Sequence, residues 1–205
     1  MKRLLVVLPL LFGGCGGLLK SSSPPEIVYS PAVGATTALA PVLDAVLVIG
    51  RPDAAPGLDG DAIVLDLPDH RRERIAGARW AAPLPEMLQS HLVVALGARG
   101  GWRAVVSDRS AFNGAYLLQT EIRQFSADYG GSGQAPVVHV LLHAELGRLG
   151  DRSLVASLDA AGEARATADR QSAIVAAFDA ALAAATDALG ARAHAAGAAS
   201  IIAPR

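Results

Sequence analysis

The sequence is poor in cysteine and in aromatic residues. Its 205 residues include a single cysteine, Cys15, so no disulfide can form within the chain. Tryptophan, tyrosine and phenylalanine together make up 4% of the residues, whereas hydrophobic residues make up 52%. A folded core is therefore expected, built mainly from leucine, valine, isoleucine and alanine. This composition excludes a globally disordered chain and a disulfide-stapled mini-domain.

The sequence also lacks an excess of either charge. Eighteen lysines and arginines are balanced by 19 aspartates and glutamates, for a net charge of −1. A protein that binds nucleic acid needs a clustered basic face to neutralise phosphates. Nucleic acid is therefore not expected as a partner.

The first apolar run is too short to cross a membrane as a helix. It covers the nine residues Leu4–Phe12, about half of the ~20 that a spanning helix requires. Basic residues precede it, and the small pair Gly13 and Gly14 follows it, directly before Cys15. A basic start, a short apolar run and small residues before a cleavage site are the anatomy of a secretory signal peptide.

With cysteine as the first residue after the cleavage site, this stretch resembles the lipobox of bacterial lipoproteins. The resemblance implies a diacylglycerol on the Cys15 thiol, cleavage before Cys15 and acylation of the new amino group. Phe12 departs from the pattern, because leucine is usual there. Gly16 after the cysteine favours the outer membrane over the inner one. The alternative is an ordinary signal peptide in which Cys15 is incidental.

The residues that follow predict a tether and one domain. Positions 16–25 mix glycine and serine with Pro24 and Pro25 and show no periodicity, as is typical of a flexible linker. We expect a signal peptide over 1–14, a lipidated N-terminus and linker over 15–28, a periplasmic domain over 29–193 and a frayed tail over 194–205.

Alternation and helical spacing predict an α+β domain. Pro85 suits the first turn of a helix that Gly97 stops, and apolar residues recur at helical spacing from about Ala168 to Ala193. Alternating or β-branched stretches predict the strands, at 41–49, 62–67, 102–107, 115–127, 137–147 and 153–167. We expect a single domain with a mostly antiparallel sheet of five or six strands and two helices packed on one face.

For each candidate chemical site, we favour a purely structural role over a chemical one. His139 and His143 are spaced to share a zinc ion on a helix, but on a strand they lie roughly 13 Å apart, so a polar sheet face is the preferred interpretation. His91 lies at the edge of the apolar face of the first predicted helix, and is interpreted as a packing or solvated histidine. The three arginines of the charged run Asp69–Arg74 could bind an anionic head group, but the interleaved Asp69 and Glu73 favour a solvated turn. Gly130–Gly133 is interpreted as a turn, because no helix or lysine of a phosphate loop follows.

No catalytic arrangement is recognisable. The serines lack a nucleophile elbow, and a cysteine nucleophile is excluded if Cys15 carries a lipid. No set of residues with metal-ligand or cofactor-binding spacing stands out, so no metal or cofactor is expected. We therefore predict that the protein is not an enzyme.

Several segments resemble the ABC-type transport auxiliary lipoproteins, the group that includes the PqiC-type proteins. Beyond the lipobox, the similarity rests on Leu47–Pro52 with Pro56–Asp59, on Arg79–Leu84 opening a helix, and on Tyr116–Phe125 on a strand. It spans nearly all of the predicted mature chain in order. It departs in the glycine-, serine- and proline-rich linker and in the Arg71–Arg74 run, which has no counterpart in the family pattern.

The resemblance implies an accessory role in moving phospholipids between the two membranes of a Gram-negative envelope. The expected partners are an MCE-domain protein and, through it, an ABC permease and ATPase. The lipid would hold the domain on the inner leaflet of the outer membrane, facing the periplasm, where it would dock the complex. Trp80 and Phe125 are candidate contacts, although core packing is the preferred role for both. A lipid-binding carrier and a structural or assembly lipoprotein of the envelope stay open as alternatives, as does self-association into a homo-oligomer.

Overall fold

The computed structural model describes residues 25–34, 37–131 and 133–202. Within them the chain forms nine strands and two α-helices. The elements are β1 (Ile27–Tyr29), β2 (Leu39–Ile49), β3 (Asp53–Ala54), β4 (Ala62–Leu67), β5 (Arg71–Trp80), α1 (Leu84–Ala98), β6 (Gly100–Ser107), β7 (Tyr116–Asp128), β8 (Val137–Arg148), β9 (Ser153–Arg165) and α2 (Gln171–Ile202).

Strand β7 organises the sheet because all the other strands lie to one side of it or the other. On one side β7, β8 and β9 form an antiparallel meander. On the other side β2, β3 and β4 pair in turn with successive stretches of β7, each in the parallel direction. Strand β6 flanks β2, whereas β5 and then β1 flank β4.

The predicted α+β class, single domain and two helices are confirmed, but the predicted sheet is wrong in strand number and direction. The sheet has nine strands in the described part of the chain and is mixed. Strands β1 and β3 contain three and two residues, too few to show an alternating pattern. The parallel pairs arise because the chain crosses over between neighbouring strands, and such long-range pairing leaves no local mark on the sequence.

The interpretation of Arg71–Arg74 as part of a solvated turn is also wrong. Only Pro68–His70 form the turn, and the arginines begin strand β5. Leu67 pairs with Arg71 and Val64 with Arg74 across the β4–β5 hairpin. The four residues look like a turn because all of them are charged and exposed, and β5 becomes apolar only from Ile75 onwards.

Helix α2 continues through the region predicted to fray. It ends at Ile202, and residues 203–205 lie outside the described part of the chain. Its last turns are fixed by packing, because the backbone of Gly197 lies directly against the Trp102 ring. Arg148 Nη2 also donates a hydrogen bond of 3.2 Å to the Ser200 carbonyl oxygen. The C-terminal end of this long, alanine-rich helix is thus held against the rest of the fold.

The core lies between the helices and one face of the sheet. Three aromatic side chains fill its centre: Trp80 is 5.8 Å from Phe125 and 5.3 Å from Phe178, and the two phenylalanine rings stack at 5.0 Å, all measured between ring centroids. Trp80 and Phe125 are fully buried. The preferred interpretation of both as core residues is confirmed.

Candidate functional site

Cys15, the residue to which the sequence assigns a lipid, lies outside the described residues. The chain after it joins the fold at β1, where Ile27 pairs with Ala78 of β5 and Glu26 forms an ion pair of 3.2 Å with Arg79. The start of α2 lies beside this point, because Gln171 Nε2 donates a hydrogen bond of 3.0 Å to the Ala76 carbonyl oxygen. The tether therefore enters at the end of the domain where α2 begins.

The residues after β1 cross the helices before the chain returns to the sheet. The Ala32 N–H donates a hydrogen bond of 3.1 Å to Asp179 Oδ1 on α2. Burial raises the pKa of the Asp179 carboxyl, and the bond from Ala32 partly opposes this. Val33 lies over the groove between the helices, and Leu39 N–H then donates to the Arg99 carbonyl oxygen at 2.8 Å. The segment between β1 and β2 is thus coupled to the packing of the two helices.

Buried polar groups are concentrated in that groove between α1 and α2. Arg99 and Asp187 form an ion pair that joins the helices. His91 Nδ1, Thr186 Oγ1 and Arg99 Nε have no hydrogen-bond partner among the described residues. Of the two roles expected for His91, packing or solvated, its burial supports packing, and that burial lowers the pKa of its imidazole.

The buried His91 makes stability depend on pH. Its pKa is lower in the folded chain than the ordinary 6.5, so the unfolded chain binds the proton more readily. Its contribution is therefore complete above about pH 6.5 and is lost as the pH falls through the folded pKa. We expect His91→Leu to flatten the fall in unfolding free energy between pH 7 and pH 5, as measured by urea titration. His70→Asn removes an exposed histidine instead and should leave the slope unchanged; equal slopes in all three proteins would contradict the assignment.

His139 and His143 lie on strand β8, as the sequence predicts, on the face that points away from the helices. Each faces a carboxylate of β9 rather than the other histidine. His143 Nδ1 is 2.8 Å from Asp159 Oδ1, and His139 Nδ1 is 3.7 Å from Glu163 Oε2. The bond to His143 lowers the pKa of Asp159. Across the described residues, no three histidine, cysteine, aspartate or glutamate side chains come together as a metal site would require.

Arg71 and Arg72 of the β4–β5 hairpin each lie beside an acidic side chain. Arg72 Nε is 3.0 Å from Asp66 Oδ1, and its Nη1 donates to the Pro56 carbonyl oxygen at 3.4 Å. Arg71 is 4.0 Å from Glu73. These are exposed pairs worth little to stability.

The comparisons with known proteins agree with this architecture. The family model described as "ABC-type transport auxiliary lipoprotein component" matches residues 29–190. The chain belongs to that family. The match begins at the last residue of β1 and ends within α2, so it includes strands β2 to β9 and the aromatic core. The resemblance found in the sequence is thereby confirmed.

Solved structures show the same fold. The crystal structure of protein XCC0632 from Xanthomonas campestris is 27% identical, covers 86% of this chain and 99% of its own, and has a TM-score of 0.78. An uncharacterized protein matches at 16% identity over 82% of this chain and 99% of its own, with a TM-score of 0.64, which shows the fold alone. No curated protein matches the chain.

Proposed function

We propose that the protein is a non-catalytic, lipid-anchored accessory of an ABC and MCE-type system that moves phospholipids between the membranes of a Gram-negative envelope. The family match carries the proposal, because it makes the chain a transport auxiliary lipoprotein. Acylation at Cys15 would hold the domain on the inner leaflet of the outer membrane. There it would dock the MCE-domain protein, which connects it to the permease and ATPase.

The anchor gives a physical reason for the docking role. A lipid confines the domain to a surface and raises its effective concentration near any partner that reaches the same leaflet. The tether enters the domain beside the start of α2. An accessory of this kind needs binding surfaces rather than reactive groups.

The filled interior favours docking over carrying. A lipid carrier would need an apolar cavity between the helices and the sheet. That space holds Trp80, Phe125 and Phe178 in ring contact, and each of the three is no more than 1% exposed. A phospholipid found in the purified chain would favour the carrier.

Isolation of the full, lipidated chain from detergent-solubilised envelopes tests the docking role. We expect the MCE-domain protein to co-purify with the tagged chain, together with the permease. Recovery of peptidoglycan or of porins alone would contradict the proposal and favour a structural role. Detergent extraction keeps the lipid anchor in place, so the complex is tested as it exists in the envelope.

A further inference from the structure

A small cavity lies in the groove between α1 and α2. Its volume is about 10 Å³. Both helices and the segment between β1 and β2 line it, and the lining includes Val33, His91, Ala95, Ala183, Thr186 and Asp187. A cavity needs at least roughly 10 Å³ of such space to hold a water molecule, so this one has room for a single water and for no larger ligand.

Two of the lining side chains bury polar atoms that have no protein partner. His91 is 6% exposed and Thr186 is 2% exposed. His91 Nδ1 and Thr186 Oγ1 form no hydrogen bond with any of the described residues. Leaving such atoms unsatisfied destabilises a folded chain, and most buried polar atoms are bonded to protein groups or to ordered water. The lining therefore favours an occupant that forms hydrogen bonds.

A third polar group completes the surroundings that a buried water requires. The Asp187 carboxylate also lines the cavity, and its ion pair with Arg99 leaves it able to accept a further hydrogen bond. A buried water bonds to about two to four polar groups. Because water both donates and accepts, it can satisfy the His91 nitrogen in either tautomer together with the Thr186 hydroxyl.

We propose that the cavity holds one ordered water molecule, which joins α1 to α2 by bonding to His91 Nδ1, Thr186 Oγ1 and the Asp187 carboxylate. Arg99 Nε is also unpartnered among the described residues, but Arg99 does not line the cavity and is not assigned to this water. Val33 lines the same cavity. The water therefore lies against the segment by which the chain passes from β1 to β2.

The sign of the stability change in Thr186→Val tests for the water. Valine has nearly the shape of threonine but lacks the hydroxyl. If water bonds to that hydroxyl, the melting temperature of the full, lipidated chain should fall by about 2 to 4 °C at pH 8, where His91 is neutral. If the cavity is dry, the hydroxyl is unsatisfied and valine relieves its burial. An unchanged or higher melting temperature would therefore overturn the proposal.

Thr120→Val is the matched control. Thr120 Oγ1 on β7 is likewise unpartnered among the described residues, and Thr120 is 1% exposed, but it does not line the cavity. Valine there replaces an unsatisfied hydroxyl on a strand, where valine is favoured, so the melting temperature should stay the same or rise. A fall equal to that of Thr186→Val would show an effect common to buried threonines and would count against the water.

A crystal structure of the lipidated chain that resolves ordered solvent tests the site directly. We expect one water within hydrogen-bond distance, about 2.7 to 3.2 Å, of both His91 Nδ1 and Thr186 Oγ1. An empty cavity would overturn the proposal. So would an ion in place of the water, or a direct hydrogen bond from either side chain to another protein group.

Discussion

Gly162→Ala is expected to separate α2 from the sheet and to destabilise the domain by about 3 kcal/mol. Gly162 lies on β9 where α2 crosses it, and a Cβ built there would be 1.8 Å from the Ala181 carbonyl oxygen and 2.9 Å from the Ala185 nitrogen. Both obstacles are backbone atoms of a helix, so no side-chain rotation relieves the collision. For a domain of this size, the melting temperature should fall by about 6 to 12 °C.

Gly150→Ala is the matched control for this change. Gly150 lies in the β8–β9 turn, does not have a positive φ, and has no atom within 4 Å of the point where an added Cβ would lie. The same added methyl group should therefore change the melting temperature by no more than about 2 °C. A Gly162→Ala protein as stable as Gly150→Ala would show that the contact between β9 and α2 is not as close as described.

Cys15→Ser is expected to abolish maturation and membrane attachment. Lipid attachment needs the thiol, and each buried CH₂ of an acyl chain contributes about 0.8 kcal/mol to membrane binding, so two or three chains hold the protein effectively permanently. The serine variant should keep residues 1–14, incorporate no labelled palmitate and fail to fractionate with the outer membrane. Mass spectrometry of the N-terminal peptide and fractionation of the envelope measure these effects.

A substitution in the same linker controls for changes near the cleavage site. Ser21→Ala should be processed, lipidated and retained as in the unmodified chain. Normal processing and membrane retention of Cys15→Ser would mean that the signal peptide is of the ordinary type and that Cys15 is incidental to it. If the unmodified chain is lipidated normally but is retained in the inner membrane, only the outer-membrane location expected from Gly16 is contradicted.

The sequence predicts the long, regular elements well, because their patterns are local. Tyr116, Leu118, Thr120 and Ile122 alternate towards the core, and all four are buried on β7. This alternation of core-facing side chains breaks after Ile122, where the register of β7 against β8 shifts. Strand directions were not predictable, because the parallel pairing of β2, β3 and β4 with β7 depends on contacts between residues far apart in the chain.

The candidate functional residues also differ in whether the sequence alone reveals them. Cys15 stands in a contiguous signal that is visible directly in the sequence, although the structure does not describe it. The ion pair between Arg99 and Asp187 left no such signal, because the two residues lie 88 positions apart in the chain. Only the fold brings them together between the two helices.

Phospholipid exchange between the two membranes tests the proposed function most directly. Pulse-labelled phospholipid would be followed into each membrane in cells lacking the gene, and in the same cells carrying the unmodified chain or the Cys15→Ser chain. We expect exchange to change when the gene is absent, to return to its normal level with the unmodified chain and not to return with Cys15→Ser at equal protein levels. Exchange that is the same with and without the gene would contradict the proposed function.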